Sequence, residues 1–87
     1  MKQLILDFKD FEDRREVHEY IARCLDFPDY YGHNLDALFD LLSVYQGEEL
    51  TVYLFTDGKR FEEGFLNVFT DLSRENPRIR LVETRLP

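Results

Sequence analysis

Three short apolar runs separated by stretches of helical hydrophobic period constrain the fold of this 87-residue chain more than any other feature. Leu4-Ile5-Leu6, with Phe8 beyond it, reads as a buried strand near residues 3 to 8, ended by Lys9-Asp10. Leu50-Thr51-Val52-Tyr53-Leu54-Phe55 has the β-branched and aromatic content of a central strand, and Ile79, Leu81 and Val82 mark a last one. Between the first two runs, Val17, Tyr20, Ile21, Cys24 and Leu25 recur at i, i+3, i+4, i+7 and i+8, a single apolar stripe on a helix that Pro28 ends. Asp13-Arg14-Arg15-Glu16 places a capping-box pattern at its start. Asn34 can cap a second helix running to about Val44, with Leu35, Leu38, Leu41, Leu42 and Tyr45 on one face. Asp36, Asp40 and Ser43 fall on the opposite face, and Phe39 on the border. A third helix near residues 60 to 75 carries Phe61, Phe65, Val68, Phe69 and Leu72 at helical spacing, and Asn76-Pro77 stops it.

The resulting order, β-α-α-β-α-β, predicts an α/β fold: a small single domain over residues 1–87, its three-stranded parallel sheet joined by right-handed crossovers and packed with helices. With 44% hydrophobic and 15% aromatic residues the chain can bury a core of its own. Cys24 stands alone, so no intramolecular disulfide is expected. Nothing at the start resembles a signal peptide, since Asp7 breaks the first apolar run, and no run approaches the roughly 20 residues needed to cross a bilayer. A cytoplasmic protein without membrane association is the expectation.

Charge is distributed unevenly. From Cys24 to Gly58 there are seven carboxylates (Asp26, Asp29, Asp36, Asp40, Glu48, Glu49, Asp57) and no Lys or Arg, while the remaining 11 acids and 11 bases cancel. The formal charge of −7 therefore belongs to the central third of the chain. A one-sided field of this kind speeds encounter with a basic partner. It also argues against direct binding to nucleic acid, where Lys and Arg neutralise phosphates.

Asp36 and Asp40, four apart on one helix face, repel each other by roughly 0.2 to 0.5 kcal/mol. The helix dipole excuses Asp36 in the first turn but not Asp40. A solvated face and a cation-binding surface are both open readings of the pair. With His33 they make a poor metal set, too few ligands for Ca²⁺ and without the His or Cys spacing of a Zn²⁺ site. Acid-base catalysis would need two carboxyls in environments that push their pKa values apart, which an exposed helix face does not supply. There is no phosphate loop or nucleophile elbow, and Cys24 lies in an apolar stripe. His18 is expected to be an ordinary surface histidine. Asp71 and Glu75, at the end of the third helix, read equally as a helix end salt-bridged by Arg74 and Arg78 or as part of a functional surface. Phe55, Phe61, Phe65 and Phe69 fit the core by period, whereas Tyr30, Tyr31 and Phe39 flank the acidic face as candidate contact residues.

The stretch Phe27-Pro28-Asp29-Tyr30-Tyr31-Gly32-His33-Asn34-Leu35-Asp36-Ala37-Leu38-Phe39-Asp40 closely resembles the signature of the barstar family, intracellular inhibitors of secreted ribonucleases such as barnase. A first strand, a first helix, a Val68-Phe69 pair in the last helix and a final strand follow the same order. The resemblance implies an inhibitor rather than an enzyme, with no catalytic residue, cofactor or metal. Its acidic helix and the preceding loop would plug a ribonuclease active site where RNA phosphates bind. Carried over by position, the partner-binding residues would be Tyr30, Gly32, Asn34, Asp36, Phe39, Asp40, Ser43, Tyr45, Asp71 and Glu75. Asp40 would be the central anion reaching the enzyme's Arg and His cluster. Phe39 and Tyr45 stand where the best-known member has tryptophans, Ser43 where it has a threonine, and Asp71 where it has a glutamate. Val44 replaces a glycine beside the interface, and Leu41 and Pro77 replace the family cysteines. The implied partner is a small basic ribonuclease, barnase-like, or a related toxin nuclease, bound one-to-one by a protein that is monomeric when free. An immunity protein for a different toxin domain, or a phosphate-mimicking binder of a basic nucleic-acid-binding protein, are the alternatives.

Overall fold

The computed structural model describes residues 1–85. In chain order the elements are β1 (Lys2–Asp7), a 3₁₀ turn (Phe8–Asp10), α1 (Arg14–Leu25), α2 (Leu35–Ser43), β2 (Leu50–Thr56), α3 (Glu62–Glu75) and β3 (Ile79–Arg85). The strands lie side by side in the order β1-β2-β3, both pairs parallel, as the alternation of runs and helices predicts. Strands laid down in sequence order by crossovers of one hand put every helix on the same face of the sheet.

Register then decides which strand residues meet the helices. Leu4 pairs with Val52 and Val52 with Leu81, while Leu6 pairs with Leu54. These residues, with Leu50 and Ile79, join Val17, Ile21, Leu38, Leu42, Phe65, Phe69 and Leu72 in one core. The alternate row, Ile5 beside Tyr53 beside Val82, faces away, and Ile5 and Val82 are exposed. Phe55 falls in this outer set, between Asp7 and Thr84, so its assignment to the core by period is corrected. The strand alternates with period two, and Leu50, Val52 and Leu54 claim the inner side.

The helix starts are held in three different ways. Asp13 accepts the Glu16 N–H at 3.0 Å, and the Glu16 carboxylate reaches back to the Glu12 N–H at 2.7 Å, one residue earlier than a capping box requires. Asn34 caps α2 by accepting the Ala37 N–H at 2.8 Å. Phe61, at the start of α3, offers no such group. Instead the buried Glu62 carboxylate accepts N–H groups of Asp57, Gly58 and Lys59 at 2.9, 3.3 and 2.8 Å, with Gly58 at a φ of 81° allowing the turn. The Lys59 ammonium donates in turn to the carbonyls of Phe8 and Phe11 at 2.6 and 2.7 Å, tying the end of β1 to the start of α3. No helix among the described residues is long and apolar enough to cross a membrane.

Candidate functional site

The segment before α2 is built around Tyr31. Its N–H donates to the Pro28 carbonyl at 3.0 Å, closing a turn, and its ring packs 4.9 Å from Phe27 and 5.0 Å from His33, centroid to centroid. Only 5% of Tyr31 is exposed, so it is not the contact aromatic that the sequence suggested. Its hydroxyl instead lies 2.6 Å from His18 Nδ1. His18 is 1% exposed, which corrects its reading as a surface histidine. The physical reason is its position: three residues before Ile21 and seven before Leu25, it belongs to the apolar stripe of α1. Burial lowers the His18 pKa to about 4, helped by nearby His33 and Arg14, so the ring is neutral at pH 7. Burial also pushes the Tyr31 hydroxyl well above its ordinary range.

With Tyr31 as anchor, the next residues are aimed outward. Tyr30 is 82% exposed. His33 adopts a left-handed φ of 52° and donates from Nδ1 to the Tyr31 carbonyl at 2.9 Å, which assigns its proton to that nitrogen. Asn34 donates from Nδ2 to the Gly32 carbonyl at 3.3 Å while its oxygen caps α2. A Cβ on Gly32 would stand 3.0 Å from that Nδ2, so a larger residue here would push on the amide that caps α2.

Along α2, Asp36 and Asp40 are exposed one turn apart, and neither carboxylate has an ion pair or hydrogen-bond donor among the described residues. The last turn of α2 contains no basic residue. Phe39 and Ser43 are half-buried beside them, and the Ser43 hydroxyl donates to the Asp40 carbonyl at 3.1 Å. Tyr45 turns its hydroxyl away to the Glu48 carbonyl at 2.7 Å.

The far end of α2 is fixed by Asn76. This buried amide donates from Nδ2 to the carbonyls of Leu42 and Tyr45, both at 3.0 Å, and accepts the Arg78 N–H at 3.0 Å. Ser43, Val44, Tyr45 and Glu75 thereby come together around a recess of about 240 Å³. Asp71 is paired with Arg74, whereas Glu75 has no ion pair among the described residues. Arg78 donates to the Gly47 carbonyl rather than to either acid. Asn76, His18 and Tyr31 hold this surface from beneath without forming it. The signal that could have placed His18 in the core is the helical period it shares with Ile21 and Leu25. No group of three or more His, Cys, Asp or Glu among the described residues is placed to hold a metal ion.

A parallel sheet with helices on one side, one of which carries uncompensated carboxylates between two fixed ends, defines a module that displays anions. The family profile described as Barstar (barnase inhibitor) matches residues 1–82. Over 69 residues the chain is 45% identical to the Bacillus subtilis (strain 168) protein named "Putative ribonuclease inhibitor YrdF", covering 79% of this chain and 69% of that one. The chain belongs to the barstar family, which places it among inhibitors and not among enzymes.

Proposed function

We propose that this chain, folding as one domain, inhibits a small basic ribonuclease of the barnase type by seating α2 and the loop before it in the enzyme's active site. Asp40 is the central anion, with Asp36 one turn before it. Tyr30, Gly32 and Asn34 make the contact at the start of the helix, Phe39 and Ser43 flank the acids, and Tyr45, Asp71 and Glu75 extend the surface toward α3. The free protein is a monomer acting in the cytoplasm, where it protects the producing cell's RNA by a one-to-one complex.

The observation that carries this reading is the pair of unpartnered carboxylates on a helix held at both ends, by the Asn34 cap and by the Asn76 clamp. A cleft that grips RNA phosphates is electropositive, and a rigid row of anions enters it with little loss of conformational entropy. Val44, 71% exposed at the end of the row, adds an apolar contact and favours a dedicated partner, so toxin-fused ribonucleases belong among the enzymes tested. The test is RNA hydrolysis by barnase and a panel of guanyl-preferring ribonucleases, with equimolar protein at near-physiological salt. Inhibition by the wild type, lost in Asp40→Ala, is the expected result. Full RNA hydrolysis by every enzyme of the panel in the presence of the wild type would overturn the proposal.

A further inference from the structure

Beside the acidic row lies a second concavity of opposite character. A cavity of about 580 Å³ is lined by Arg14 and His18 of α1, by His33, Asn34, Leu35 and Asp36 around the start of α2, and by Phe61, Gly64 and Phe65 at the start of α3. Every one of these residues sits within the first five positions of a helix or at its threshold, so three positive dipole ends converge on one space. In a chain of formal charge −7, the cavity sets one arginine, Arg14, against its one carboxylate, Asp36. Arg14 is exposed, and the arginine ion pairs within the described residues involve Arg15 and Arg74, not Arg14. His18 is almost wholly buried and spends Nδ1 on Tyr31. Leu35, Phe61 and Phe65 supply an apolar wall, and the missing side chain of Gly64 leaves room, since a Cβ there would lie 2.7 Å from Leu35 Cδ1.

We infer that this cavity receives a carboxylate side chain of the inhibited ribonuclease, one that borders the enzyme's cationic cleft. The inference rests on the proposed inhibitory function and adds a second, oppositely charged contact to it. A guanidinium at the mouth of a cavity with an apolar wall, where three helix starts converge, suits a planar carboxylate with a short aliphatic stem. Asp36 decides between a partner side chain and a free anion. It belongs both to the acidic row and to the cavity lining, so a lone anion meets its charge unscreened. A protein that sets its own cation on Asp36 removes that repulsion as its carboxylate enters. Adjacent opposite charges also fix the register of docking, because a shifted partner would face like charges at both points.

The experiment compares wild type, Arg14→Gln, Arg14→Glu and Asp40→Ala as inhibitors of barnase and of the same ribonuclease panel, with thermal unfolding of each free variant. Arg14→Glu is expected to weaken inhibition about tenfold, the scale of a lost charged hydrogen bond, and Arg14→Gln by less. Unfolding should stay unchanged, since an acid in the first helical turn is tolerated. Replacing the carboxylates around the enzyme's cleft by Lys, one at a time, should restore inhibition by Arg14→Glu at one position. Inorganic phosphate titrated into the free protein should leave the His18 and His33 ring resonances in place. Undiminished inhibition by Arg14→Glu where Asp40→Ala fails would overturn this inference and leave the inhibitory function standing. A saturable phosphate shift would overturn the assignment to a partner side chain. If the wild type inhibits no enzyme, both proposals fall together.

Discussion

His18 Nδ1 and the Tyr31 hydroxyl lie 2.6 Å apart inside the core, and this contact joins α1 to the loop that leads into the acidic helix. Burial of the ring favours the neutral imidazole. The folded state holds the His18 pKa at about 4, against an ordinary 6.5, so the unfolded chain binds the proton more readily. Stability is therefore intact above pH 6.5 and declines as pH falls toward 4. Between pH 7 and pH 5 the loss from this group is about 2 kcal/mol. Urea unfolding at the two pH values checks it against His18→Gln, which is less stable at pH 7 but should approach the wild type by pH 5. A difference between the two that does not change with pH would refute the assignment.

Removing one member of the acidic row should not harm the free protein. Asp40 is exposed, opposes Asp36 across one turn and lies in the half of α2 that disfavours anions. Asp40→Ala is expected to unfold at the same denaturant concentration as the wild type or higher, with a gain of up to about 1 kcal/mol from relieved repulsion and better helix propensity. A marked loss of stability would mean that Asp40 has a structural duty that the geometry does not reveal.

Asn76 tests the opposite idea, that the surface depends on residues outside it. Asn76→Ala removes both donors to the Leu42 and Tyr45 carbonyls and the acceptor of the Arg78 N–H. A loss of about 2 kcal/mol is expected from these buried bonds. Amide exchange at Ser43, Val44 and Tyr45 should accelerate more than at Leu38, because the clamp acts on one end of α2 only.

Glu62 should be far less tolerant than an exposed glutamate at a helix start. Both of its oxygens face N–H donors from the loop at residues 57–59. Glu62→Ala is expected to lower stability by about 3 kcal/mol, and Glu62→Gln by nearly as much, since the amide turns a donor toward donors. Equilibrium unfolding of both variants measures this, and a Gln variant equal to wild type would contradict it.

Much of the fold was legible in the chain. Leu50 to Leu54 and the stripe from Val17 to Leu25 announce their elements because each repeats its period several times over, and parallel order follows from the helices between strands. Asp36 and Asp40 were legible for a similar reason, since four residues on a helix define a shared face. Phe55 misled because apolar character alone does not tell which side of a strand will be covered. Tyr31 and Tyr30 are adjacent and chemically alike, and only the turn closed at Pro28 separates the buried ring from the exposed one. The roles of Asn76 and Lys59 arise from contacts across tens of residues, with Leu42 and with Phe8, and no local pattern encodes them.

Because α2 is fastened at Asn34 and again at Asn76, the spacing of the backbone positions that carry its two aspartates is a property of the scaffold. Four residues at 1.5 Å of rise set these positions about 6 Å apart along the axis. Attempts to redirect the protein to a new enzyme are therefore best confined to exchanging side chains on this fixed ruler, leaving both asparagines untouched. Lengthening or re-registering the helix would undo the fastening before it altered the preference.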